Sequence, residues 1–393
     1  MPGYIRRRGK GCWEVTVDLG KNPTSGRRRR RFVAVRGAKR DAERVLAEAL
    51  HQRDTGVDIT PGKLTVGEYL RRWLRDYAAN NVSLSTLERY RGIIETHLIP
   101  ALVGLRLRDL RPAHIQAAYG RSLAAGGRAD GGADGLRPRT VLKHHRLLHE
   151  ALSHAVRWQL IARNPADAVT APRPERTEMR VMDADDTRQL LEEAANTLYH
   201  ALIYVALATG ARMGELLALR WQDVDLDRAT IHIIRSARRF PRRGVVYTDT
   251  KSHRSRRPVA LSPDTTATLQ RHRRAQAEQR LALGPAYSGE GLVFAGPTGK
   301  PLDDRNLRRA FDRMVAKAGL PRLRLHDLRH TAATLMLRAG VHPKVVSERL
   351  GHATVGLTLD TYSHVLPDLQ RDAAQVMDGV LRPGIRRSAT GAT

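Results

Sequence analysis

A single cysteine, Cys12, stands in 393 residues, so the chain has no intrachain disulfide and no zinc site built on cysteine pairs. Long apolar runs are also missing. The most apolar stretch, ALIYVALATGARMGELLAL, is interrupted by Arg212 and Glu215 and is too short and too charged to span a bilayer. The opening MPGYIRRRGK leads into no apolar segment, which predicts a chain without a signal peptide that works in the cytoplasm. There is no G-x-G-x-x-G fingerprint and no P-loop lysine; the glycine-rich GGRADGGADG at 126–135 reads as a surface loop. Lysine is scarce too, with 9 against 59 arginines. That skew, with abundant Ala and Gly, is what GC-rich coding produces, and it makes each lysine more informative than an arginine.

Positive charge is abundant. Lys and Arg number 68 against 40 Asp and Glu, a formal net charge of +28 with a pI near 11.2. Neutralising phosphates and releasing their counterions drives such a chain onto a polyanion, so nucleic acid is the expected partner and a membrane is not.

Three segments and a tail follow from periodicity. In residues 1–60, Trp13, Val15, Val17 and Leu19 alternate with Glu14, Thr16 and Asp18, the period-two pattern of a strand with one buried face. YIRRRGK before it and the Arg27 to Arg31 run entering FVAVRG after it complete a short sheet, and AKRDAERVLAEALHQR at 38–53 reads as an amphipathic helix. This is the outline of a small DNA-reading module. Residues 64–170 carry apolar residues at helical spacing in LTVGEYLRRWLRDY, SLSTLERYRGIIETHL, RPAHIQAAYGRSL and RTVLKHHRLLHEALSHAVRWQL, with Ser85 and Glu88 spaced as a capping box. APRPERTE at 171–178 reads as a linker.

Residues 179–375 begin with two helical stretches, DADDTRQLLEEAAN and LYHALIYVALATG, and GARMGELLALRW predicts a third. TIHIIRSA and VVYTDT alternate like paired strands with RRPVALS as a third, and further helices follow before a tail at 376–393. The expected fold class is mainly α, with a small N-terminal sheet-plus-helix module, a helical middle domain and a mixed α+β last domain holding a small antiparallel sheet.

Metal readings fail on their spacing. Asp223, Asp225 and Asp227 begin like a calcium loop, but Arg228 replaces its glycine and Ile234 its closing Glu. In HDLRH, His326 and His330 lie four apart as in a zinc protease, yet Asp327 stands where Glu is needed and Arg329 lies on the metal-facing side. An anion suits that pattern better. His326 and Arg329 share one helical face, and a guanidinium fork matches two phosphate oxygens. In ARMGE, Glu215 lies one turn from Arg212 and can hold it in place. Lys251, in TDTKSHRSRR, is the one lysine between Lys143 and Lys300, and unlike arginine it can give up a proton, which suits a general acid. RLGHATVGLTLDTYSHV adds His352 and, ten residues on, Tyr362, a phenol that needs surrounding cations to act as a nucleophile.

In this order, Arg-x-x-Glu, a hairpin lysine, His-x-x-Arg, LGH and Tyr, the chain resembles the tyrosine recombinase (phage integrase) family. The resemblance implies Arg212 and Arg329 as phosphate-clamping arginines, Lys251 as the hairpin lysine, His326 and His352 as the two histidines, Tyr362 as nucleophile and Glu215 as support of the first arginine. His330 is either a support or a core histidine. The middle domain resembles the family's core-type DNA-binding domain, and residues 1–60 its arm-type domain. The implied activity is site-specific integration or excision through a 3′-phosphotyrosine, without metal or other cofactor. The implied partners are double-stranded DNA at core and arm sites, a homotetramer in the synapse, and a DNA-bending or directionality factor. A type IB topoisomerase-like relaxing enzyme shares this chemistry, and a non-catalytic DNA-binding regulator is the remaining alternative.

Overall fold

The computed structural model describes residues 3–21, 28–54, 64–124, 134–175, 180–240, 243–249, 256–362 and short pieces of 374–381; the side chains of Asp360, Thr361, Tyr362 and a few residues within 19–54 are outside that description. The fold is mainly helical with small antiparallel sheets, carried by two compact units, Met1–Thr177 and Glu178–Thr393.

The first unit opens with β1 (Gly3–Gly9), β2 (Cys12–Lys21) and β3 (Arg28–Arg36), an antiparallel sheet in that order. Alternation sorts its faces: Ile5, Val15 and Val33 lie opposite one another and pack with Val17 against Ala42 and Ala49 of the helix Lys39–Asp54. Tyr4, Thr16 and Phe32 line up across the other face, where Tyr4, Arg6, Arg30 and Phe32 stand exposed.

The rest of this unit is helical, chiefly Val66–Trp73, Leu84–Ile93, Pro112–Ala124 and Pro138–Arg157, and the first two run on through π-helical segments, Leu74–Ala78 and Ile94–Leu98. Leu70, Ile94, Leu148 and Leu152 are fully buried together, each worth about 1.5–3 kcal/mol. Trp73 joins them without leaving its indole N–H unsatisfied, because it donates to His154 Nδ1 at 2.8 Å. The expected capping box at Ser85 does not form. Ser83, with extended backbone (φ −62°, ψ 152°), starts the helix, and Glu88 pairs with Arg91 at 2.8 Å instead. With the start two residues earlier, Glu88 lies beyond the third helical position, too far along to reach back. The box forms at Thr65 and Glu68, whose carboxylate accepts the Thr65 N–H at 2.8 Å.

In the second unit the helices Ala184–Ala194 and His200–Thr209, a short turn of helix Met213–Leu216, and the helices Pro263–Leu283, Asp304–Lys317 and Asp327–Arg338 contribute to a core containing Leu202, Val205, Leu216, Phe311 and Leu328. The helix Pro343–Leu350 packs on Asp327–Arg338 through a smaller cluster of Ala333, Leu337, Val346 and Leu350, and the helix Val355–Tyr362 follows it. TIHIIRSA is not one strand paired with VVYTDT. It breaks at Ile234 into β5 (Thr230–Ile233), which lies between β4 (Val224–Asp225) and β8 (Arg257–Ala260), and β6 (Arg235–Phe240), which forms a hairpin with β7 (Gly244–Asp249). Burial decides the split. Ile231 and Ile233 face inward opposite Val259 and Arg257, whereas Arg238 and Arg239 keep the second half outside the core.

Candidate active site

Two left-handed glycines and one helix start bring the sequence-selected residues together. The helix His200–Thr209 stops at Gly210 (φ +65°), where a Cβ would meet Leu350 Cδ2 at 2.5 Å, so the turn needs glycine for both backbone and space. The expected long third helix shrinks to Met213–Leu216. Arg212 therefore sits just before it with extended backbone (φ −68°, ψ 143°) rather than on a buried helix. That position suits the Arg-x-x-Glu spacing: Glu215 accepts the Arg212 backbone N–H at 2.9 Å and its guanidinium Nη1 at 2.8 Å. The Gly210 carbonyl in turn accepts from Arg329 Nη1 at 2.8 Å.

Arg329 is buried near the start of the helix Asp327–Arg338. Asp327, also buried, fixes that helix start by accepting the Arg324 backbone N–H at 2.7 Å and its guanidinium Nη2 at 2.7 Å. His326 directly precedes the helix, and its ring meets His330 edge-on at 4.9 Å. The helix Pro343–Leu350 ends at Gly351 (φ +68°), whose carbonyl accepts from Arg212 Nη2 at 3.3 Å. His352 follows, its backbone N–H donating to Ser347 O at 3.0 Å and its Nδ1 lying 2.7 Å from the buried Thr358 hydroxyl.

The charge balance of this corner is heavily positive. Arg212, Arg257, Arg329 and Arg349 converge on it, and Glu215, 3 % exposed, is the carboxylate between the first two. Burial pushes the Glu215 carboxyl up, but the Arg257 charge and the hydrogen bonds from Arg257 and Arg212 outweigh it and hold it below the usual range. Burial, then the charges of Arg329, Arg212 and Arg257, push His352 down to about 4. Burial and Arg329 lower His326 as well. At neutral pH both rings are uncharged, so each offers one N–H donor and one acceptor. Arg212 keeps 41 % of its side chain exposed, which leaves it a face for an incoming anion.

Arg212, Glu215, His326, Arg329 and His352 are thus brought to one place. Tyr362 closes the helix Val355–Tyr362, and its side chain lies outside the described residues, as does the whole of Lys251. His330, half-buried beside His326, is lowered to about 4 by burial and by His326. Asp223 caps Arg220 and pairs with Arg235, and Asp225 caps its own turn at the Asp227 and Arg228 N–H groups. Among the described residues no group of three His, Cys, Asp or Glu side chains is placed to hold a metal.

Sequence reading missed Arg257. It is buried on β8, donating from Nη2 to Glu215 at 2.9 Å and from Nε to the Arg349 carbonyl at 2.7 Å. A signal was present: in Arg257, Val259 and Leu261 the inward positions of a strand begin with an arginine. Charge alone hides such a residue in a chain this rich in arginine.

Known proteins bear on this arrangement. Residues 180–368 match the model of the phage integrase family, and residues 65–121 that of the phage integrase N-terminal SAM-like domain. An integrase from Streptomyces ambofaciens is 32 % identical, the alignment covering 95 % of each chain. A XerC-like tyrosine recombinase from Caldanaerobacter subterraneus subsp. tengcongensis is 25 % identical, over 95 % of this chain and 97 % of the relative. Among solved structures, the Tn1549 transposon integrase in complex with a circular intermediate DNA superposes with a TM-score of 0.66 at 19 % identity, over 80 % of this chain and 99 % of that one. A lambda integrase tetramer bound to a Holliday junction gives 0.54 at 19 % identity, over 90 % and 96 %.

Proposed function

The chain belongs to the phage integrase family and is a site-specific DNA recombinase, and we propose that it cuts and rejoins DNA strands through Tyr362 within the arginine corner around Glu215. The observation that carries this reading is the convergence of Arg212, Arg329 and His352. Three chain segments distant in sequence meet there to make a cationic, partly buried site with one open guanidinium face. Such a site fits a phosphodiester, whose charge grows as the phosphorus becomes five-coordinate.

The Tyr362 oxygen attacks the scissile phosphorus and the bond from phosphorus to the 5′ oxygen breaks, leaving a 3′-phosphotyrosine and a free 5′-hydroxyl. The phenolic proton passes to His326, kept neutral by burial and Arg329 and so available as an acceptor. Lys251 protonates the leaving oxygen. Arg212, Arg329 and the N–H of neutral His352 hold the equatorial oxygens. The phosphotyrosine conserves the phosphodiester bond energy, so a 5′-hydroxyl from a second strand reverses the step without ATP. Integration or excision of a mobile element is two such exchanges, which four protomers on two duplexes would carry out in turn, through a Holliday junction.

The helical segment of the first unit is assigned to the core site. The exposed sheet face bearing Tyr4, Arg6, Arg30 and Phe32 is assigned to a separate arm site, since strands presenting cations and aromatics can read a groove. The test is covalent capture on a nicked core duplex in excess EDTA. The expected product is a denaturation-resistant adduct on the 3′ phosphate with a free 5′-hydroxyl. Loss of the adduct in EDTA, restored by magnesium or zinc, would overturn the mechanism.

A further inference from the structure

We propose that Arg257 is a positioning residue for strand cleavage, the side chain that locks Glu215 to the corner carrying His352 and keeps the charge of Arg212 available to phosphate. The inference rests on the cleavage reading above and assigns Arg257 no contact with DNA. It stands first on geometry. The Arg257 guanidinium lies between two segments of the site: Nη2 donates to Glu215 Oε2 at 2.9 Å, and Nε donates to the Arg349 carbonyl at 2.7 Å. Gly351 is left-handed beside it, and a Cβ there would lie 2.8 Å from Arg257 Nη1 and 3.0 Å from its central carbon. The LGH glycine therefore makes room for this guanidinium, and the carbonyl of that same glycine accepts from Arg212.

Charge points the same way. Glu215 alone with Arg212 would form a neutral pair, with its carboxylate competing against an incoming phosphate for the guanidinium. With Arg257 sharing the carboxylate, the three side chains carry a net positive charge. The two arginines differ in access: the side chain of Arg257 is 6 % exposed and that of Arg212 is 41 % exposed. The buried one satisfies the carboxylate while the open one faces the substrate. If stability were the only demand, apolar residues of similar volume would serve a buried ion cluster's place as well or better.

The experiment measures Kd for a core duplex and the single-turnover rate of adduct formation at saturating duplex, for wild type, R257K, R257Q, E215Q and E215Q/R257Q. Thermal unfolding is recorded for each. R257K keeps the charge but not the fork, and should slow adduct formation about tenfold, with R257Q slowing it about a hundredfold, the scale of a small displacement of a catalytic group. Kd should move little, because many other phosphate contacts carry affinity. E215Q/R257Q should be no slower than the slower single variant, since both act through one carboxylate. Wild-type rates in both Arg257 variants would overturn the proposal. So would weaker binding with an unchanged saturated rate, which would make Arg257 a DNA contact, or multiplicative losses in the double variant. Loss of folding in both Arg257 variants would assign the residue to stability and overturn it equally. A wild-type chain that forms no adduct sinks the cleavage reading and this proposal together; failure of the variants to differ from an active wild type sinks this proposal alone.

Discussion

Replacing Glu215 by Gln removes one charge and almost no volume, and the structure allows its cost to be worked out. Each carboxylate oxygen accepts from both arginines: Oε2 from the Arg212 N–H at 2.9 Å and Arg257 Nη2 at 2.9 Å, Oε1 from Arg212 Nη1 at 2.8 Å and more weakly from Arg257 Nη1 at 3.5 Å. A glutamine has one oxygen, so whichever way the amide turns, two of these donors face an NH2 donor instead. Two charge-assisted hydrogen bonds lost at about 1.5–3 kcal/mol each give about 3–6 kcal/mol. Breaking a buried ion pair from one side gives about 3–5 kcal/mol by an independent route. For a unit of about 200 residues, each kcal/mol shifts Tm by about 2–4 °C, so E215Q should melt about 6–24 °C below wild type.

The dependence on pH tests the cause. The Glu215 carboxyl is held below its ordinary value of 4.5, so its folded pKa is lower than its unfolded one. Its stabilisation is then whole above about pH 5 and is lost as pH falls through the folded value. The gap between wild type and E215Q, read by calorimetry across pH 4 to 8 (roughly the window that linkage sets), should be constant at the upper end and narrow at the lower. A loss under about 1 kcal/mol, within the range of ordinary surface pairs, would mean that Glu215 does not tie the two arginines together. A gap that widens as pH falls would mean the same.

Two further outcomes follow from the assignments of Lys251 and the N-terminal module. Lys251→Arg keeps the charge without a dissociable proton, so cleavage of ordinary DNA should slow severely while a substrate with sulfur as the 5′ leaving atom should be rescued; equal impairment on both would make Lys251 a phosphate-positioning group. Deleting residues 1–60 should spare adduct formation on a core duplex, erase a distinct footprint and cut recombination between full-length sites, with arm binding falling by about 0.9 in log K per log salt for each phosphate neutralised; a uniform loss of affinity on every sequence would mean the module has no site of its own.

Much of this molecule was legible where one force dominates. The sheet of the first module followed from strict alternation around Val15 and Val17, because a single buried face leaves the register no freedom. That Arg212, Glu215, His326, Arg329 and His352 would gather in one place was legible because their spacing and chemistry are unusual together. Legibility failed where tertiary contacts choose between equal local options. Ser83 and Ser85 can both cap a helix, and TIHIIRSA alternates without a break, so only the pairing of Ile231 with Val259 shows where one strand ends and the next begins. Arg257 stayed hidden for a similar reason: its partners Glu215 and Arg349 lie 42 and 92 residues away along the chain.

Under the proposed mechanism Tyr362 becomes bonded to DNA. The direct measurement is to trap the covalent complex on a nicked core duplex, digest it, and identify the attached residue by mass spectrometry. The expected result is a phosphodeoxynucleotide on Tyr362 in the wild-type chain, and a Tyr362→Phe variant that binds the same duplex with unchanged affinity yet yields no adduct. A denaturation-resistant adduct from that variant, or attachment to Tyr204, Tyr247 or Tyr287 in the wild type, would contradict it.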